Sequence, residues 1–97
     1  MERGTSLGIL HVTVRGRVQG VGFRYFVRER ARAMRLTGWV RNLADGSVEV
    51  FAQGDPDILQ RFHGTLTEGP PGARVSSIDD VARAPADGPL DPFSIIR

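Results

Sequence analysis

Apolar and polar residues alternate along this chain with two different periods, and each change of period marks a boundary between a strand and a helix. From residue 9 to residue 15 the period is two, which places Leu10, Val12 and Val14 on one face of a half-buried strand. From about residue 22 to residue 35 the apolar positions recur every three or four residues, as on one face of a helix. The predicted apolar stripe of this helix consists of Phe23, Phe26, Val27, Ala31 and Met34.

Four further segments predict strands. Residues 38–43 and 47–53 are separated by the short turn sequence Ala-Asp-Gly, which is typical of an antiparallel hairpin. Residues 73–81 form another strand candidate, in which the alternation breaks between residues 75 and 78 and so predicts a β-bulge. Residues 93–96 predict a short strand at an edge of the sheet, after a loop rich in proline, aspartate and glycine.

A second helix is predicted between the hairpin and the fourth strand. Asp55 as N-cap and Pro56 at the first helical position mark its start, and it ends before Gly69. Gly64 lies inside this helix, where glycine costs about 1 kcal/mol relative to alanine. We therefore expect a close contact at Gly64 that a larger residue would obstruct.

The resulting order of elements predicts an α+β fold. Four strands and two helices in the order β-α-β-β-α-β form a ferredoxin-like sandwich, with an antiparallel sheet, two helices on one face and a short C-terminal edge strand. The length of 97 residues fits one domain over residues 1–97. Residues 1–7 are expected to be a loose terminus.

Composition excludes several kinds of site. The chain has no cysteine and no lysine, which rules out a disulfide scaffold, a thiolate metal site, a cysteine nucleophile and lysine chemistry. His11 and His63 are read as surface or boundary histidines, so no metal site is predicted. The net charge of +2 gives no argument for nucleic-acid binding. No apolar run approaches the roughly 20 residues of a membrane span, so a cytoplasmic protein without membrane contact is expected.

The candidate chemistry begins at the junction of the first strand and the first helix. The predicted loop runs from Gly16 to Gly20, and Gly22 follows just before the helix. Amide groups at a helix N-terminus have no intrahelical partner and favour an anion, so we expect this loop to hold a phosphate. Arg24 lies in the first helical turn, where a bound anion would offset its unfavourable interaction with the helix dipole. The alternative is an ordinary surface arginine.

A second candidate is Asn42, near the end of the second strand. Alternation places Asn42 on the same sheet face as Val40, which is expected to point at the helices. A carboxamide can orient a water molecule but is too weak a base to deprotonate it strongly. The alternative is a hairpin-turn asparagine. Asp45 and Glu49 are read as a turn residue and a residue of the open sheet face.

Two stretches of the chain resemble the signatures of the acylphosphatase family. The first stretch is Gly16-Arg17-Val18-Gln19-Gly20-Val21-Gly22-Phe23-Arg24. The second consists of Gly38-Trp39-Val40-Arg41-Asn42, followed by Gly46, Val48 and Gly54. The likeness extends from about residue 8 to residue 97 and includes Gly69-Pro70, Ala73 and the closing Phe93-Ser94-Ile95.

The resemblance implies a small hydrolase that needs no metal or cofactor and converts acyl phosphates to a carboxylate and inorganic phosphate. Arg24 would bind the phosphoryl group, and Asn42 would orient the attacking water. The backbone amides of the loop would also contact the phosphoryl group; these belong to Val18, Gln19, Gly20, Val21 and Gly22. Inorganic phosphate is the expected product and competitive inhibitor, and a monomer is expected.

Two non-enzymatic functions remain as alternatives. A ferredoxin-like sheet can bind single-stranded RNA on open-face aromatic residues, and Trp39 and Phe51 are predicted on that face. The sequence pattern of an RNA-recognition motif is absent, however, and packing beneath the closing strand also accounts for both aromatic residues. The second alternative is an acylphosphatase-like module that binds phosphate without turnover, or that serves a larger carbamoyl-transfer system.

Overall fold

The computed structural model describes residues 7–85, 88 and 90–97. Apart from Leu7, the predicted loose terminus lies outside the described residues, as does part of the loop before the closing strand. The elements are β1 (Gly8–Arg17), α1 (Phe23–Ala33), β2 (Thr37–Asn42), β3 (Val48–Gly54), α2 (Pro56–Glu68), β4 (Arg74–Asp80) and β5 (Ser94–Ile95). This order confirms the predicted arrangement of strands and helices.

The five strands form one sheet in the order β4-β1-β3-β2-β5. The pairs β1–β3, β1–β4 and β2–β3 are antiparallel, as the ferredoxin-like prediction requires. The short strand β5 lies at one edge and pairs in parallel with β2, opposite Trp39 and Val40. The sheet is therefore mostly antiparallel with one parallel edge pair, whose direction the residue pattern did not indicate.

The main core lies between the sheet and the two helices. From α1 the buried side chains are Phe23, Val27 and Ala31, and from α2 they are Leu59, Phe62 and Leu66. From the facing side of the sheet they include Val12, Val14, Val40, Val48 and Val50. Burying each large apolar side chain contributes about 1.5–3 kcal/mol, and the predicted helix stripe and strand face supply these side chains.

Helix boundaries follow from local capping groups. The Asp55 side chain accepts a 2.8 Å hydrogen bond from the Asp57 amide, and Pro56 begins α2, as predicted. Helix α1 ends at Ala33, two residues earlier than expected, because Arg35 takes up a left-handed conformation with φ 59°. The Leu36 amide then donates to the Ala31 carbonyl at 2.9 Å.

The structure corrects the expectations for two glycines. Gly16 does not belong to the loop, since β1 continues to Arg17 and Gly16 pairs with Val75 of β4. A Cβ atom there would lie 2.1 Å from the Arg74 carbonyl oxygen, so the close approach of β4 requires glycine. The expected contact at Gly64 is also wrong: apart from its chain neighbours and the backbone of α2, no atom of the described residues lies within 4 Å of a Cβ built at that position.

The predicted bulge lies in β4. The register between β1 and β4 shifts between Arg15, which faces Ser77, and Gly16, which faces Val75. Ser76 is therefore the additional residue on β4, within the segment where the alternation breaks.

The second face of the sheet is not open, which corrects the expectation for Glu49. Glu49 is fully buried, and Trp39 and Phe51 are 0% and 4% exposed. The two aromatic rings stack with their centroids 5.7 Å apart, and the His11 ring meets both edge-on. Arg83, which follows β4 in the chain, contacts Glu49 at 3.1 Å. The residue pattern therefore predicted a solvent-exposed sheet face, where the structure has a buried cluster of polar and aromatic side chains.

Candidate active site

The junction between β1 and α1 forms a helix N-terminus without a side-chain cap. Gly22 is the N-cap residue with φ 77° and ψ 20°, and Gly20 also has φ 77°. Both glycines have open space where a Cβ atom would be, so their backbone conformation, and not crowding, favours glycine. The first backbone bond of the helix runs from the Phe26 amide to the Gly22 carbonyl at 3.0 Å. The preceding helical amides have no acceptor within the helix.

Arg24 is the second residue of α1, and its side chain is exposed. The first turn of α1 contains no acidic residue, and no acidic residue in the described part of the chain forms a salt bridge with Arg24. A cation at this end of a helix opposes the dipole by about 0.3–1 kcal/mol. The unpaired guanidinium and the helix amides together create a region of positive potential that suits an anion.

Asn42 is the last residue of β2 and is half-buried. Its Oδ1 atom is buried and has no hydrogen-bond partner among the described residues. An unsatisfied buried acceptor costs about 1–3 kcal/mol, so a position of this kind suits a donor supplied by a water molecule or a ligand. The structure also places Asn42 on the helix side of the sheet, together with Val40, as alternation predicts.

These groups share one pocket of about 290 Å³. The lining residues are Val18, Gln19, Gly20, Gly22, Phe23, Arg24, Tyr25, Asn42 and Ile95. Six of them are predicted site residues. Val21 is the predicted residue that is absent from this lining, and its side chain packs against the core. A second pocket of about 380 Å³ also contacts Arg24, Asn42 and Ile95. The structure thus brings together both predicted catalytic residues and most of the predicted loop.

The side chain of Gln19 makes contacts that sequence reasoning missed. Its Nε2 atom donates to the carbonyl oxygens of Leu43 and Ser47, each at 2.9 Å. Both acceptors belong to the turn between β2 and β3, immediately after Asn42. No periodic signal indicates this contact, because it joins an irregular loop to a turn 24 and 28 residues away.

That turn is held by Asp45, in keeping with its prediction as a turn residue. Asp45 Oδ1 accepts hydrogen bonds from the amide and the hydroxyl of Ser47, and Asp45 Oδ2 accepts from Arg15 at 3.2 Å. The bonds from the Ser47 hydroxyl and amide, with a smaller contribution from Arg15, lower the pKa of Asp45 to about 2. The carboxylate therefore stays ionised and keeps its turn contacts throughout the neutral and mildly acidic range.

Within the described part of the chain, no three histidine, cysteine, aspartate or glutamate residues lie close enough to hold a metal ion. The lining of the 290 Å³ pocket contains neither a carboxylate nor an imidazole. Its chemical groups are backbone amides, one guanidinium, two carboxamides, one phenol and apolar side chains. This set of groups can bind and orient an anion but offers no strong general base.

No helix among the described residues is long and apolar enough to cross a membrane.

The fold and the pocket define a ferredoxin-like α+β protein with a positively charged site at a helix N-terminus. The sequence profile of the acylphosphatase family matches residues 10–95. An acylphosphatase from Salinibacter ruber is 49% identical over 79 residues, which are 81% of this chain and 82% of the relative. One from Treponema denticola is 51% identical over 74 residues, 76% of this chain and 79% of the relative. The chain belongs to the acylphosphatase family.

Solved structures agree with this assignment. The crystal structure of acylphosphatase from Bacillus subtilis superimposes with a TM-score of 0.81 at 40% identity, covering 95% of this chain and all of the other. The T. kodakarensis HypF structure matches with a TM-score of 0.75 at 34% identity, over 90% of this chain but only 11% of HypF. Family and fold together support hydrolysis of acyl phosphates as the general activity and confirm the predicted class of enzyme.

Proposed function

We propose that this chain hydrolyses acyl phosphates by direct attack of water on a phosphoryl group bound at the N-terminus of α1. The observation that carries the proposal is the shared pocket, which is lined by both Arg24 and Asn42. Among the described residues, Arg24 has no salt-bridge partner and Oδ1 of Asn42 has no hydrogen-bond partner. Arg24 and the loop amides bind the phosphoryl oxygens, and Asn42 orients the water. The products are a carboxylate and inorganic phosphate.

Charge stabilisation at the phosphoryl group comes from Arg24 and the backbone amides of residues 18–22. The guanidinium fork can bind two phosphoryl oxygens at once, while amides at the helix N-terminus contact others. Phosphoryl transfer depends mainly on positioning and electrostatic stabilisation. One preorganised donor of this kind typically contributes about 2.7–4 kcal/mol to the transition state. Of the predicted loop amides, that of Val21 has the least support, since Val21 is not among the residues that line the pocket.

Asn42 places the nucleophile rather than activating it. Its buried Oδ1 atom accepts a hydrogen bond from the attacking water and so limits the orientations that the water can take. A carboxamide is too weak a base to remove the proton. The proton passes to an oxygen of the substrate itself, either on the phosphoryl group or on the departing carboxylate.

The pocket chemistry favours acyl phosphates over phosphate esters. A carboxylate leaving group has a conjugate-acid pKa of about 4, so it departs without protonation by the enzyme. The alkoxide released from an ester is far more basic and requires a general acid. The pocket lining supplies no carboxyl or imidazole group for that step. Phosphate esters should therefore be poor substrates.

Inorganic phosphate, as a product with the same phosphoryl oxygens, should compete with substrate for Arg24 and the loop. We propose that the chain acts as a monomer without a metal or a cofactor. The cytoplasmic location stays a prediction. RNA binding is not favoured, because Trp39 and Phe51 are buried against each other and present no exposed ring face on which a base could stack.

The deciding experiment follows the loss of benzoyl phosphate from a solution of the purified protein that contains EDTA. We expect hydrolysis that survives the chelator and is inhibited competitively by inorganic phosphate. An alkyl phosphate ester, assayed in parallel, should be hydrolysed much more slowly. No turnover above buffer hydrolysis would overturn the proposal, and in that case tight binding of phosphate or of single-stranded RNA would identify the non-enzymatic alternative that applies.

A further inference from the structure

We propose that the side chain of Gln19 is a positioning residue for this reaction. It ties the phosphate-binding loop to the β2–β3 turn and thereby sets the distance between the loop amides and Asn42. The inference rests on the proposed function, since it concerns how the phosphate-binding loop and Asn42 are held at a fixed distance from each other. Its basis is a pair of hydrogen bonds that use both hydrogens of one carboxamide nitrogen.

The geometry joins the two halves of the site directly. Gln19 Nε2 donates at 2.9 Å to the carbonyl of Leu43, the residue that follows Asn42, and at 2.9 Å to the carbonyl of Ser47. Because Gln19 belongs to the phosphate-binding loop, these two hydrogen bonds connect the loop to the end of β2. The Gln19 side chain also lines the pocket and is partly buried, which shields both bonds from competing water.

The turn does not need Gln19 in order to form. The Leu43 carbonyl already accepts from the Gly46 amide at 3.1 Å, and the Ser47 carbonyl from the Leu43 amide at 2.8 Å. Asp45 adds its own bonds to the Ser47 amide and hydroxyl. Both carbonyls therefore keep a backbone donor when the carboxamide is removed. What Gln19 adds is the connection between the turn and the loop.

The loop is anchored to the core by Val18 and Val21, but among the described residues no backbone hydrogen bond joins residues 18–22 to one another. Residues 18–22 lie between β1 and α1 without regular structure, and Gly20 and Gly22 both have positive φ values. Glycine gives such a segment more conformational freedom than other residues would. Bound by Gln19 to the stiff turn, the loop amides keep a constant position relative to Asn42. Water attack requires such placement, since a displacement of about 1 Å can cost about 100-fold in rate.

Glutamine is the side chain that this contact requires. It supplies two hydrogens from a neutral group, so it can reach two carbonyl oxygens without adding charge beside the phosphate. Asparagine is one methylene shorter. The carboxylate of glutamate would face the two carbonyl oxygens as an acceptor with no hydrogen to donate.

The test compares Gln19→Met with the wild-type protein and with Gln60→Met, a substitution of an exposed glutamine on α2. We expect Gln19→Met to lower kcat about 10- to 100-fold. The dissociation constant of inorganic phosphate, measured by calorimetry, should change much less, because Arg24 and the amides remain. Gln19→Glu should lose at least as much kcat, and Gln60→Met should lose none. All assays are run below the thermal transition of each variant, as recorded by circular dichroism.

A double-mutant cycle with Asn42→Ala separates positioning from a general structural role. If Gln19 acts through Asn42, Gln19→Met should cost little further kcat once Asn42 has been removed. Equal fold losses in both backgrounds would overturn the proposal, as would an unchanged kcat in Gln19→Met. Full turnover in Asn42→Ala alone would instead overturn the role of Asn42 in the proposed function, whatever the Gln19 variants do.

Discussion

The carboxylate of Glu49 accepts a 2.6 Å hydrogen bond from Nε2 of His11 on the sheet face opposite the helices. Glu49 is fully buried, and only 7% of the His11 side chain is exposed. Arg41 and Arg83 also contact the same carboxylate, at 2.8 Å and 3.1 Å. Burying a charge is costly unless it is paired and hydrogen-bonded, and the three donors meet that requirement. The cluster joins β1, β2 and β3 to the segment that follows β4.

This arrangement predicts how stability depends on pH. Burial raises the pKa of Glu49, but the hydrogen bonds from His11 and Arg41 and the charges of Arg41 and Arg83 outweigh burial and hold the pKa below its usual value. The folded protein therefore binds this proton less readily than the unfolded chain does. The resulting stabilisation is fully present above the unfolded pKa of about 4.3 and is lost as pH falls through the lower, folded pKa.

Urea titrations of the wild-type protein and Glu49→Gln between neutral and acidic pH check this expectation. At neutral pH we expect the substitution to lower the free energy of unfolding by about 1.5–3 kcal/mol, because it weakens hydrogen bonds to a buried charged group. Below about pH 4 the difference between the two proteins should shrink, since protonation removes the same charge from the wild type. A difference that stays constant over this range would contradict the ionised state assigned to Glu49.

Arg24→Ala should lower kcat/KM for benzoyl phosphate by at least about 100- to 1000-fold, because in the proposed mechanism Arg24 contacts the phosphoryl group in both the ground and the transition state. The affinity for inorganic phosphate should fall as well. Arg24→Lys keeps the charge but not the planar fork and should recover only part of the loss. Arg61→Ala, an exposed arginine on α2, is the matched control and should leave both quantities unchanged. A loss in Arg24→Ala no greater than in Arg61→Ala would refute the role of Arg24.

Asn42→Ala should separate turnover from binding. We expect kcat to fall about 100-fold or more, as the loss of a placed water implies, while phosphate still binds through Arg24 and the loop. The free energy of unfolding should not decrease, because truncation removes a buried oxygen without a partner among the described residues. Steady-state kinetics, phosphate calorimetry and chemical denaturation test the three expectations. Wild-type kcat in this variant would exclude water placement by Asn42.

Gly64→Ala should stabilise the protein. Gly64 lies inside α2 and is exposed, and no atom of the described residues outside its chain neighbours and the helix backbone lies within 4 Å of an added Cβ. Alanine is favoured over glycine in a helix interior by about 0.5–1 kcal/mol, which corresponds to a rise in Tm of several degrees in a domain of this size. Thermal denaturation measures the shift, and kcat should not change, because Gly64 is remote from the pocket. An unchanged or lower Tm would contradict the prediction and show that position 64 does not accept an added Cβ atom without cost.

The sequence predicted those parts of the fold that follow from which side chains of a single element face the core and which face solvent. Periods of two and of three to four residues report which side chains face the core, so the elements and the helix stripe containing Phe23 and Val27 followed directly. The proximity of Arg24 and Asn42 followed from the strand alternation and from the family resemblance, and the structure places both at one pocket. Their catalytic roles stay predictions.

The features that were missed depend on contacts between distant segments. The pattern of β1 could not show that Gly16 lies against the Arg74 carbonyl, since that contact depends on the pairing with β4. Glu49 has the polarity of an exposed residue, and only the registers of three strands and the position of Arg83 explain its burial. Likewise, no pattern within a short stretch of sequence indicates the hydrogen bonds from Gln19 to the β2–β3 turn.

The bulge in β4 affects whether two molecules of this protein can pair through the edges of their sheets. A long, flat edge strand is a template for pairing with another chain, and bulges and charged residues oppose such addition. Strand β4 is an edge of the sheet, and Ser76 interrupts its pairing with β1 near the middle. Its last residues, Asp79 and Asp80, are exposed and carry like charges. Two molecules that approach through this edge meet an irregular strand that ends in two acidic residues, which disfavours edge-to-edge aggregation.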